Sequence, residues 1–147
     1  MVENMPVTHL KNCFPTALLL VVSAVLLVLM VGCQTRGEKE NRLLAEEVMA
    51  IHDEAMAKMT LIHELKLQLE ELAQTNGNEE IEQGIIALQQ AHQGMMTWMR
   101  AYRQPIKEEL DKVQTRQYLL AEKEKIVRVQ VAIEAAIDRA QQLLSRQ

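Results

Sequence analysis

The chain has 147 residues with a formal net charge of −4, 48% hydrophobic and only 3% aromatic side chains, and two cysteines. The part that follows its apolar N-terminal run has room for one small domain, and an abundance of Ala, Leu, Ile, Glu, Gln, Lys and Arg makes that domain helical. The weakly acidic balance, with the basic side chains near the C-terminus alternating with Glu122, Glu124, Glu134 and Asp138, excludes a nucleic-acid surface.

Residues 16–32, TALLLVVSAVLLVLMVG, carry no charge and follow Lys11 and the α-amino group, which is the layout of a secretory signal. A permanent span needs about 20 apolar residues, and this run reaches Gly32 and Cys33 before that, so cleavage is expected. The ending LMVGC, residues 29–33, resembles the lipobox of bacterial lipoproteins processed by signal peptidase II, with Gly32 ahead of the cysteine and Met30 where that family usually has Leu. The resemblance implies that Cys33 receives diacylglycerol, becomes the first residue and gains a third acyl chain, such as palmitate, on its amine. An anchor of that kind is effectively permanent, at about 0.8 kcal/mol per buried methylene. Gln34 in place of Asp implies sorting to the outer membrane. Cys13 falls in the removed part, so the mature chain is expected to have neither thiol chemistry nor a cysteine metal site. The expected divisions are a signal peptide over 1–32, a lipidated tether over 33–37 and a helical domain over 38–147.

The first helix of that domain is expected from Glu38 to Ala73, about 55 Å long at 1.5 Å per residue. It stops at TNGN, where Gly77 takes the left-handed position and Asn78 caps the next helix. Glu79, Glu80 and Glu82 then oppose the positive end of the second helix dipole, and that helix runs to Arg103, ahead of Pro105. Ile106, Leu110 and Val113 share one row and predict a short helical turn, followed by a break near 113–117. A long third helix to Leu144 is expected from Leu119, Ile126, Ile133, Ile137 and Leu144. Short connections make the neighbours antiparallel, so the fold class is all-α, a coiled-coil-like antiparallel three-helix bundle. Residues 38–82 carry 12 acidic and 4 basic side chains against 7 and 10 over 83–147, which favours packing of the first helix against the third.

Histidine and methionine concentrate in two stretches. In the first helix Leu44, Val48, Ile51, Ala55, Ile62 and Leu69 form the core stripe, and Met49, His52, Met56, Met59, His63 and Leu67 form a row beside it. In the second, His92, Met95, Met96 and Met99 share the face of Ile81, Ile85 and Leu88, which predicts a buried His92. Folding the hairpin about Asn76 brings the stretches level, so His52, Met56, Met59, His92, Met96 and Met99 are candidates to supply three or four ligands to Cu(I), a cation suited to thioether and imidazole. The competing expectation is packing, because Met fills irregular gaps in helical cores. Haem fits poorly: three helices and few aromatics make a weak pocket, and no C-x-x-C-H is present.

No catalytic constellation is found. Asp53 and Glu54 diverge from His52 by about 100° and 200° around the helix. Ser145 has no base beside it, and glycine-rich phosphate loops and H-E-x-x-H are absent. Gly94, ahead of Met95 and Met96, fits the close approach of another helix, and Trp98 and Tyr102 are placed to anchor the open end of the hairpin against the third helix.

The stretches MAIHDEAMAKM, AHQGMMTWM and YLLAEKEKI together resemble a group of small helical envelope lipoproteins of Gram-negative bacteria, sometimes labelled viral A-type inclusion protein-like. That resemblance brings no activity. The expected role is a non-enzymatic, lipid-anchored envelope protein acting through helical protein contacts or self-association, with copper binding as the alternative.

Overall fold

The computed structural model describes residues 14–105 and 110–146, with side chains over 36–105 and 110–146. Its helices are α1 (Phe14–Ala57), α2 (Met59–Asn76), α3 (Glu79–Ala101) and α4 (Lys112–Ser145), and the described residues include no strand. The chain divides into two units, residues 1–40 and 41–147. In the first, the described backbone is the early part of α1, with Pro15 in the first turn, where its missing N–H is tolerated. Helix therefore begins well before the expected Glu38 and includes the backbone of 33–37. Lys11 and Cys13 lie outside the described residues.

The second unit is an all-α bundle of three rods, the first of which is bent. The end of α1 and α2 are separated only by Lys58, whose amide bonds to the Ala55 carbonyl three residues back at 3.1 Å, while its own carbonyl accepts from the Ile62 amide at 3.0 Å. The ladder tightens for one step and then resumes, which bends the rod without ending it.

At the next turn Gly77 has φ −67° and ψ 127°, extended instead of left-handed as expected. Its glycine is required for another reason: a Cβ there would stand 2.5 Å from the Ala73 carbonyl oxygen. Asn78 caps α3 as expected, its Oδ1 accepting from the Ile81 amide at 3.0 Å, with Glu79, Glu80 and Glu82 in the first turn. The helix stops at Ala101, four residues ahead of Pro105.

The start of α4 departs from expectation. Its first residue is Lys112, and no break occurs at 113–117. Asp111 accepts from the Val113 and Gln114 amides while Gln114 reaches back to the Asp111 amide, a complete capping box that starts the helix here. Of the helical turn expected before it, 106–109 lie outside the described residues, and Leu110 is not helical. Val113, expected on an apolar row, is 65% exposed.

Three- and four-residue spacing builds the core. Leu44, Val48 and Ala55 continue into Ile62, Leu65 and Leu69; α3 contributes Ile81, Leu88, Ala91, Met95 and Trp98; α4 contributes Leu119, Ile126, Ile133, Ala136, Ile137, Ala140 and Leu143. Each large side chain among them stabilises the bundle by about 1.5–3 kcal/mol. Ile51 and Leu144, expected in the stripe, are half-buried at its edge. Ion pairs fix the alignment. Glu47–Lys123 and Lys58–Glu134 both join residues 76 apart, so the first rod and α4 run parallel. Arg146 near the end of α4 reaches Glu80 at the start of α3 at 3.6 Å, as antiparallel neighbours require.

Candidate functional site

Helix geometry divides the histidine and methionine side chains into two groups. His52 and Met59 are seven residues apart, about 10 Å along the axis, and Met99 lies about 10 Å beyond His92. Ligands of one ion lie about 2 Å from it, so the six candidates cannot share a single centre.

The first group is at the open end of the bundle. His52 is largely covered, with 14% of its side chain exposed, and its Nδ1 is 2.9 Å from Asp53 Oδ1. Asp53 therefore turns back onto His52 instead of diverging from it, although its own carboxylate remains in solvent. The imidazole lies 5.5 Å from the Trp98 ring, Trp98 stacks on Tyr102 at 4.8 Å, and Tyr102 on Tyr118 at 6.2 Å. Tyr118 also accepts from the Arg103 amide at 2.8 Å. This ladder joins α1, α3 and α4, the anchoring expected of Trp98 and Tyr102. Within the ladder Trp98 Nε1 and the Tyr102 hydroxyl are buried without a hydrogen-bond partner among the described residues, as is Glu122 Oε2 on α4. Burial raises the Tyr102 hydroxyl above its ordinary range, and Tyr118 and Glu122 add to that.

Met56 and Met96 are half-buried against the core, where they act as packing. Met99 is 41% exposed. Cys33 is within the backbone of α1, and its side chain lies outside the described residues.

The second group lines a groove of about 400 Å³ between α2 and α3. Met59, His63 and Lys66 come from α2, Gln89, His92 and Gln93 from α3, and Ile62 and Leu88 form the floor. His92 is exposed, contrary to the expected burial, because the contact seam of α3 follows Ala91 and Met95 and leaves position 92 about 100° to one side. His63, left out of the candidate ligands, lines the same groove; its four-residue spacing from Met59 was the available signal. Gly94 has nothing within 4 Å of a Cβ built on it, so no helix approaches there. Among the described residues no group of three or more His, Cys, Asp and Glu side chains is placed to hold a metal ion.

Glu122 escaped the sequence reading. It sits in the row Leu119, Glu122, Ile126 and is 4% exposed, although the sequence shows it only as one of the acids that alternate with the bases of the third helix. No protein family, curated protein or solved structure matches this chain.

Proposed function

We propose that the protein is a non-enzymatic lipoprotein of the cell envelope, held at the outer membrane by acylated Cys33 and acting through contacts of its helical bundle with other proteins. The observation that carries this reading is the placement of Cys33 directly after Gly32, at the end of the uncharged run 16–32. Among the residues whose side chains are described, no helix is long and apolar enough to cross a membrane, and the reading assigns attachment to the lipid. A contact surface is supported by α4, where Val113, Leu120 and Val127 recur every seven residues and are 65%, 47% and 37% exposed. Such a row is apolar surface left outside the core.

The mass of the mature N-terminal peptide tests the anchor. Diacylglyceryl-Cys33 with an N-acyl chain is the expected species, and a chain that still carries residues upstream of 33 overturns the reading. Self-association through the α4 row is the other form of protein contact. Sedimentation of the detergent-solubilised chain detects it, and Leu120→Glu should then shift the protein to monomer.

A further inference from the structure

The groove between α2 and α3 brings together two exposed imidazoles and the half-buried thioether of Met59, which also packs against the core. His63 and His92 face it from different helices, and neither imidazole is hydrogen bonded to another described residue. Met59 lies one turn before His63, which sets their Cβ atoms about 6 Å apart on one face. No carboxylate lines the groove, so hard cations such as Ca²⁺ and Mg²⁺ lack their ligands. Its one ammonium, Lys66, is drawn along α2 to Glu70 at 3.1 Å.

We propose that Met59, His63 and His92 form a site for a soft monovalent cation, Cu(I) by its chemistry. Two imidazole nitrogens and one thioether sulfur make a three-coordinate set suited to that ion, and they need no deprotonated thiol. Ile62 and Leu88 beneath them are 2% and 0% exposed, a dry floor that keeps water from competing with the weakly donating sulfur. Gln89 and Gln93 line the groove beside His92 and keep its rim polar without adding a charge. Binding only replaces water on the ion with two nitrogen lone pairs and one sulfur lone pair, and no electron is transferred. The site does not depend on lipidation, so it and the anchor can fail separately.

The experiment titrates the full chain in detergent micelles with Cu(I) under anaerobic conditions against a chromogenic Cu(I) chelator, with Zn(II) in parallel. One Cu(I) per chain is expected to resist the chelator. His63→Ala, His92→Ala and Met59→Leu should each weaken binding at least about 10-fold, whereas Met56→Leu and Met96→Leu leave it unchanged. Both histidines are exposed, so their replacement does not threaten the fold. Ring-proton shifts at one equivalent should appear at His63 and His92 and not at His52. Complete loss of Cu(I) to the chelator overturns the proposal, as does retention that survives the His63→Ala/His92→Ala double variant. Tighter binding of Zn(II) than of Cu(I) overturns the soft-cation assignment.

Discussion

Gly84 on α3 and Leu143 on α4 meet so closely that a Cβ at position 84 would lie 2.7 Å from Leu143 Cδ1. Leu69 Cδ1 closes the other side at 3.1 Å, and Leu69 is fully buried, so a methyl group added there must displace two core side chains. Position 94 is the internal control, with nothing within 4 Å. Alanine gains about 1 kcal/mol over glycine inside a helix, and strain from an overfilled contact costs about 1–3 kcal/mol. Gly94→Ala should therefore stabilise the protein by about 1 kcal/mol, and Gly84→Ala should leave it unchanged or less stable. Denaturant unfolding of both variants checks this; equal gains would mean that the three helices are not held together at Gly84.

Glu122 faces the core with one oxygen bonded to Lys125 at 2.7 Å and the other without a partner among the described residues. Replacing a buried, incompletely paired charge by an apolar side chain of similar volume commonly stabilises a protein by 1–4 kcal/mol. Lys125 keeps its ammonium in water, which places the effect at the low end. Glu122→Met should raise stability by about 1 kcal/mol, and Lys125→Met should lower it by a similar amount because it strands the carboxylate. Thermal melts of the two variants should move in opposite directions, and a large loss in Glu122→Met would assign the carboxylate an essential bond at the open end.

The rows Val48, Ile62, Leu69 and Ile81, Leu88 and Ile126, Ile133 were legible in the sequence because three- and four-residue spacing over many turns has one packing solution. The Asn78 cap was legible for a local reason, a single side chain that satisfies a single amide. The start of α4 was hidden by Ile106, Leu110 and Val113, whose spacing imitates a helical turn, while Asp111 and Gln114 carried the true signal. The bend at Lys58 has no proline or glycine to announce it. At the candidate site, the proximity of the two stretches followed from the hairpin, but His92 was assigned to the wrong side of the seam. Apolar Ile85, Met96 and Met99 widen the α3 stripe, and only the small Ala91 shows which edge lets the neighbouring helix approach. The grouping of His63 with Met59 and His92 needed the groove itself.

Trp98 and the two flanking methionines separate anchoring from filling. Trp98 is 5% exposed between His52 and Tyr102, while Met56 and Met96 border the core. Trp98→Ala should cost about 3–5 kcal/mol, since the ladder loses its middle ring and leaves a cavity. Met56→Leu and Met96→Leu conserve volume and should each change stability by less than about 1.5 kcal/mol. Unfolding followed by circular dichroism compares all three; a small effect for Trp98→Ala would remove the open end from the set of contacts that hold the bundle.

Alkaline pH should loosen the bundle from two places at once. Burial raises the Tyr102 hydroxyl, with Tyr118 and Glu122 nearby adding to the effect, and the bond to Glu134 raises the Lys58 ammonium. In both cases the folded state holds its proton more tightly than the unfolded chain. Their contribution is complete below the ordinary values of 10.0 for tyrosine and 10.5 for lysine and is lost as pH rises through the higher folded values. The melting temperature should therefore fall above about pH 10, where the unfolded chain releases protons that the folded chain retains. Tyr102→Phe removes one of the two groups and should flatten the decline, while Tyr118→Phe should flatten it less. Tyrosinate absorbance of the folded protein should show one of its two tyrosines ionising late. A Tyr102→Phe protein whose alkaline melting profile matches the parent would mean that the buried hydroxyl does not report on folding, and the decline would then belong to Lys58 and its partner Glu134.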